Sequence, residues 1–235
     1  MEGATCPDDP TGAATRLAAL RVSIARRARD CGRTPESVKL LAVSKTFSSN
    51  EVWPTIAIGG QTRFGENRVQ EAIPKWRDLR ERAADQGKMI ELHLIGPLQT
   101  NKAREAVESF DVIETIDRER IAAALAHEIQ RLGKSPRLFV EVNTGAERQK
   151  AGVSPEAADG FVALCRSAYG LKVEGLMAIP PEGELVSPHF ALLNAIAVRN
   201  GVEELSMGMS SDWPLAVQLG ATYLRVGSAI FGVRR

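Results

Sequence analysis

Residues 38–67 read VKLLAVSKTFSSNEVWPTIAIGGQTRFGEN. An apolar, β-branched run (38–43) gives way to a polar break, a helical stretch (49–58), a Gly-Gly turn and a second short run (62–65). That is one strand–helix–strand unit of a parallel sheet. The same alternation continues to the end of the chain. Further strands are expected at 91–95, 112–115, 138–142, 172–177, 203–206 and 223–226, with helices at 68–84, 101–107, 118–132, 155–168, 187–200 and 211–219. An Ala/Leu/Arg-rich amphipathic helix (11–30) precedes the first strand. Each crossover is long enough to return the chain to the start of a parallel neighbour. Eight such units in roughly 200 residues match a closed barrel, whereas a doubly wound sheet usually stops short of eight. The expected fold is α/β: one (β/α)8 TIM barrel over 11–235 with an N-terminal helix, behind a loose arm at 1–10 that carries Pro7, Asp8, Asp9 and Pro10.

Composition narrows the function. Thirty basic residues nearly cancel 29 acidic ones, so the global field that marks a nucleic-acid binder is missing and any anion site must be local. No apolar run approaches the ~20 residues of a membrane span, and residues 1–12 lack the order of a signal peptide. Cys6, Cys31 and Cys165 show neither paired nor metal-ligand spacing, so reduced thiols in a cytoplasmic protein without a metal site are expected.

In a barrel of this kind the chemistry gathers just past the C-terminal ends of the strands. Lys45 follows the apolar run Leu40-Leu41-Ala42-Val43, where a dry surround favours the neutral amine that covalent chemistry needs. Position alone also allows a lysine that simply reaches for solvent. Leu205-Ser206-Met207-Gly208-Met209-Ser210-Ser211-Asp212 and Arg225-Val226-Gly227-Ser228-Ala229-Ile230-Phe231-Gly232 follow the seventh and eighth strands, with the Gly and Ser residues that let backbone amides converge on an anion. Each alone could be a cap or a tight turn. Two such loops at the places where barrels bind phosphate, facing a lysine, point to a phosphate-bearing ligand. His93 alternates with Leu92 and Leu94 and could line the mouth or be a satisfied core histidine. Asn143, Glu147 and Lys150 suit a polar rim, Met177 suits packing, and Lys102 and Arg104 suit a solvated helix face.

Seven ordered motifs resemble the pyridoxal phosphate homeostasis proteins, single-domain members of the alanine racemase-like, fold-type III group. They are Leu41-Ala42-Val43-Ser44-Lys45, Phe64-Gly65-Glu66-Asn67, His93 to Lys102 (HLIGPLQTNK), Asn143-Thr144-Gly145, Glu174-Gly175-Leu176-Met177, and the two loops above with Gly220-Ala221-Thr222 between them. The resemblance implies pyridoxal 5'-phosphate as cofactor, held as a Schiff base on Lys45. Asn67 would lie beside the ring, with Ser210, Gly227 and Ser228 at the phosphate, His93 and Met207 lining the site, and Arg225 facing the ring nitrogen. An arginine there keeps its proton, leaves the ring nitrogen unprotonated and restrains carbanion chemistry. Ser228 stands where a threonine is usual, and Ala178 replaces a threonine after Met177. The racemases of this group add a C-terminal β domain with a second acid/base, and none is expected here, the barrel being expected to take up the sequence to Arg235. The expectation is therefore a monomeric carrier that is not an enzyme and passes the cofactor to apo-enzymes. The alternative is an amino-acid racemase-like enzyme with His93 or Tyr223 as opposite base; a third reading is a barrel that binds another phosphate ester without covalent chemistry.

Overall fold

The computed structural model describes residues 12–232. The expected arm at 1–10, with Cys6, lies outside the described residues. Eight parallel strands close on one another in chain order: β1 (Lys39–Val43), β2 (Arg63–Glu66), β3 (Glu91–Leu94), β4 (Val112–Ile116), β5 (Arg137–Glu141), β6 (Val173–Met177), β7 (Glu204–Ser206) and β8 (Tyr223–Val226). The ring is completed by β1 pairing with β8, Leu41 opposite Arg225 and Ala42 opposite Val226.

The helices are α1 (Gly12–Asp30), α2 (Ser49–Ala57), α3 (Val69–Ala84), α4 (Ala103–Ser109), α5 (Glu119–Leu132), α6 (Pro155–Ser167), α7 (Val186–Arg199), α8 (Trp213–Gln218) and α9 (Ser228–Phe231). Local sequence sets their ends. Ser48 and Glu51 form a reciprocal cap at the start of α2, and Ser154 followed by Pro155 starts α6. The last helix corrects the sequence reading, which treats 227–232 as loop; four residues are too short for a periodic signal. Helix α1 docks beside the closing strand pair, with Arg16 donating to Ile230 O at 2.7 Å and Arg27 to Pro214 O at 3.0 Å. Among the described residues no helix is long and apolar enough to cross a membrane.

Side chains alternate between two environments. Leu138, Val140 and Val142 join the large apolar core between sheet and helices, while Phe139 packs with Val112 and Tyr223 inside the barrel. Arg137 and Glu141 share the parity of Phe139 and so point inward. At β6 the interior is so full that a Cβ on Gly175 would lie 2.6 Å from the Phe139 ring. The N-terminal end is closed by charge. Lys39 pairs with Glu204 (2.5 Å), Glu204 with Arg137 (3.0 Å), Arg137 with Glu91 (3.1 Å) and Glu91 with Arg63 (3.1 Å). Four of these come from alternate strands and form one barrel layer of alternating sign. The buried Tyr223 hydroxyl accepts from both Lys39 (3.1 Å) and Arg137 (2.9 Å).

This layer makes stability depend on pH. Burial alone would raise the Glu91 carboxyl, but the hydrogen bond from His93 and the charges of His93, Arg137 and Arg63 hold it down from 4.5 to about 2. A depressed carboxylate stabilises the fold above its unfolded value and loses that contribution as pH falls toward its folded one. Urea midpoints should therefore decline between pH 5 and pH 3. Glu91→Gln should flatten that decline, and an unchanged pH slope in the variant would refute the assignment.

Candidate functional site

Lys45 lies just past β1 and is half-buried. The preceding Ser44 is buried and turns outward: its hydroxyl donates to Glu66 Oε1 at 2.7 Å. The same oxygen accepts from Trp76 Nε1 (3.0 Å) and pairs with Lys75 Nζ (2.6 Å), which also donates to Ser44 O (2.6 Å). Glu66, the last residue of β2 and part of the motif Phe64-Gly65-Glu66-Asn67, is thus the buried post that fixes the Ser44 peptide. Strand alternation then sends Lys45 toward the barrel axis. Thr46 follows at φ +71°, a left-handed conformation that a β-branched residue rarely adopts. The other non-glycine residue with positive φ among those described is Ala146 (φ +50°), in the loop after β5, so both strained positions border the C-terminal mouth.

The two anion-type loops meet. Ser228 Oγ donates to Ser210 Oγ at 3.0 Å, joining the loops after β7 and β8 beside the strand that leads to Lys45. Within the described hydrogen bonds, the amides of Ser210, Ser211, Ser228 and Ala229 have no backbone acceptor. Asn67 is half-buried past β2, its backbone in contact with Gly96, where a Cβ would lie 2.3 Å from Asn67 O.

Arg225 is almost completely buried and heads a chain of hydrogen bonds running down the barrel axis. Its Nη2 donates to Ala178 O at 2.8 Å and its Nη1 to Ser206 Oγ at 2.7 Å. Ser206 donates to Glu114 Oε2 at 2.6 Å, Glu114 Oε1 faces His93 Nδ1 at 2.6 Å, and His93 Nε2 faces Glu91 Oε1 at 3.0 Å. Burial disfavours charge on His93, yet the hydrogen bonds to Glu114 and Glu91 outweigh it and hold the ring above its usual pKa, as an imidazolium donating from both nitrogens. Glu114 is held below the usual carboxylate range by that bond and by Arg225, against its own burial. Burial lowers Arg225, while Glu114, Glu141 and Asp212 raise it, and a guanidinium has far to fall before losing its proton.

Two expected site residues move. His93 reads as a candidate for the mouth, but its ring is fully buried, committed to two carboxylates and tilted by 59° against the Tyr223 ring at 5.2 Å between centroids. Parity correctly turns it inward, but parity says nothing about depth. Met207 reads as cofactor-binding, but it joins the outer apolar core because it is out of phase with the inward-facing Glu204 and Ser206. Tyr223 sits at the opposite end of the barrel from the mouth. Lys45, Asn67, Ser210, Arg225, Gly227 and Ser228 border the C-terminal end together. Sequence reasoning missed Glu114 and Glu141, although an acidic residue inside an apolar strand (VIETI, LFVEV) is itself a signal.

A cavity of about 460 Å³ lies at the other end, between α1 and the starts of β1 and β2, with Arg21, Lys39 and Arg63 in its lining. Its cations are engaged: Arg21 with Gly60 O and Gln61, Lys39 with Glu204, Arg63 with Glu91. The convergent polar groups are at the C-terminal mouth.

Known proteins agree with this architecture. The family model described as alanine racemase, N-terminal domain, matches residues 16–235. The pyridoxal phosphate homeostasis protein of Escherichia coli (strain K12) is 40% identical over 232 residues, 94% of this chain and 96% of the relative. That of Pseudomonas aeruginosa is 37% identical over 228 residues, 94% of this chain and 95% of the relative. Among solved structures, PipY of Synechococcus elongatus with pyridoxal phosphate bound is 37% identical at TM-score 0.77, covering 94% of this chain and 100% of that one. An alanine racemase of Clostridium difficile shares the fold alone, at 12% identity and TM-score 0.66, covering 94% of this chain and 56% of that one. Matched along nearly its whole length by a family model and by relatives of one name, the chain belongs to the pyridoxal phosphate homeostasis protein family, within the alanine racemase N-terminal domain group.

Proposed function

We propose that this protein binds pyridoxal 5'-phosphate at the C-terminal mouth, covalently through Lys45, and acts in homeostasis of the cofactor by holding it and releasing it to apo-enzymes. The observation that carries the reading is the junction of β1 with β8. It sets a half-buried lysine beside two loops joined through Ser210 and Ser228, whose amides lack acceptors. A phosphate dianion suits those amides and hydroxyls, and an aldehyde suits the lysine amine. The relative whose structure holds pyridoxal phosphate supports the same choice.

The residues favour retention over turnover. When bound, the cofactor supplies an electron sink whose strength depends on protonation of its ring nitrogen. Arg225 would meet that nitrogen as a permanent cation, pinned by Ser206 and Ala178 O and backed by Glu114. It would donate a hydrogen bond there without giving up a proton. Asn67 would flank the ring. Of the two residues on which a racemase-like reading depends, His93 is locked between carboxylates and Tyr223 between cations, both below the mouth.

The test is spectroscopic. Protein incubated with pyridoxal phosphate should gain the absorbance of a lysine-linked cofactor, and Lys45→Ala should lose it completely while remaining folded by circular dichroism. Persistence of the band in the variant would exclude Lys45 as the attachment point. For the carrier role, incubation of the loaded protein with L-amino acids in deuterated water should leave the α-proton in place over hours, whereas rapid exchange would favour the racemase-like alternative.

A further inference from the structure

Glu141 ends β5, which lies across the closed ring from β1 and Lys45. Its side chain has the inward parity, the residue is only 8% exposed, and among the described residues its carboxyl has no hydrogen-bond partner. Every other buried carboxylate of the interior has at least one: Glu114 has His93 and Ser206, and Glu66 has Ser44 and Trp76. A mostly buried carboxyl without a protein partner is costly, and since neither oxygen is among the fully buried side-chain atoms that lack a partner, the group opens onto the space beside it, where a ligand can pair with it.

A cavity of about 220 Å³ opens beside it, lined by Glu141, Val142, Asn143, Lys150, Ala151 and Ile179. That is room for several water molecules or one small organic molecule. The other polar groups of the lining are committed. Asn143 Nδ2 donates to Glu147 O at 2.7 Å and its Oδ1 accepts from Glu147 N at 3.2 Å, while Lys150 pairs with Glu147 at 2.5 Å. What remains is a pocket with aliphatic walls and one open carboxyl.

We infer that Glu141 and this cavity form a binding site, separate from the lysine and the phosphate loops, for the ammonium group of a small aliphatic amine or amino acid. An ammonium has three donors and no acceptor, and its hydrogen bonds to a buried carboxylate are of the strong, charge-assisted kind. Short alkyl chains suit Ala151 and Ile179. The groups that act on Glu141 from neighbouring elements are Asp117 and Glu114, which raise it, and Arg225 and Arg118, which lower it. Burial is the largest influence, followed by Asp117, and the carboxyl is pushed up to about 7. The carboxylate form, which the ammonium needs, is thus lost as pH falls through neutrality.

Calorimetric titration of the full chain with n-propylamine, L-2-aminobutyrate and butyrate tests this. Both amines should bind at pH 8 and butyrate should not. Glu141→Gln, nearly isosteric, should weaken amine binding by roughly tenfold or more while keeping the wild-type melting temperature. Because apparent affinity scales with the competent fraction, the wild type should lose about tenfold between pH 8 and pH 6, and the variant should not. Equal binding by Glu141→Gln, butyrate binding as well as propylamine, or no amine binding at all would each overturn the assignment. Amine binding that survives Lys45→Ala would show that the site stands apart from the cofactor linkage, and its loss there would overturn that separation.

Discussion

Replacing Glu114 with alanine should lower stability by about 3–5 kcal/mol, the range for removing one partner of a buried ion pair. For a chain of this size that corresponds to a drop of roughly 10 °C in melting temperature. Glu114 is fully buried between the His93 imidazolium and, through Ser206, the Arg225 guanidinium. Without it two cations face each other through a serine with no counter-charge between them. His93 can relieve this by deprotonating, which gives the prediction its signature. In the native chain the raised imidazole contributes stability that is complete below its unfolded value, near 6.5, and is lost only as pH rises through its folded value. In Glu114→Ala the ring loses its shorter contact, and NMR of its ring protons should show titration at a lower pH than in the native protein. A wild-type midpoint would mean that Glu91 alone sustains the charge. Arg225 should lose its fixed pose as well, so cofactor affinity should fall in the variant although Glu114 lies two hydrogen bonds behind the mouth.

Gly96→Ala should be the most damaging single-methyl change near the site. The new Cβ would stand 2.3 Å from Asn67 O, 2.7 Å from Asn67 Cα and 2.9 Å from Asn67 C, all of them backbone atoms that no rotamer change can move. The loop cannot retreat to the other side easily, because Thr115 Oγ1 donates to Gly96 O at 2.9 Å. Overpacking of this kind costs about 1–3 kcal/mol, and the strain falls on Asn67 at the ring position. Affinity for pyridoxal phosphate, read by absorbance titration, should drop along with the melting temperature. Gly160→Ala is the internal contrast. Gly160 lies on the exposed side of α6 with nothing within 4 Å of its would-be Cβ, so the added methyl should stabilise by about 0.5–1 kcal/mol. Equal effects at the two glycines would contradict the packing described for the mouth.

The eight strands were legible because each is a short apolar run bounded by turn residues, and their boundaries in the structure agree to within a residue or so. Lys45 and the loops after β7 and β8 were legible for the same reason: strand ends locate a barrel's mouth. What the chain does not display is depth. His93 and Glu141 are both inward residues of odd-numbered strands, yet one lies in the middle of the barrel and the other at its rim, a difference set by the stagger of closure and not by any local pattern. The hydrogen-bonded chain from Arg225 to Glu91 joins residues from β8, β7, β4 and β3 and is visible only once those strands are neighbours around a ring. Met207 shows the converse. Its parity could be counted from Ser206, but its place in a Gly- and Ser-rich loop masks the strand rhythm.

Among the described residues, the charged layer of Lys39, Arg63, Glu91, Arg137 and Glu204, with Tyr223 among them, closes the N-terminal end of the barrel and leaves the C-terminal mouth as its door. Under the carrier reading, cofactor must depart by the opening through which it arrived. Donor and acceptor therefore compete for the same face and cannot be served at once. Delivery to an apo-enzyme would follow ping-pong kinetics, and an excess of the supplying partner should slow it.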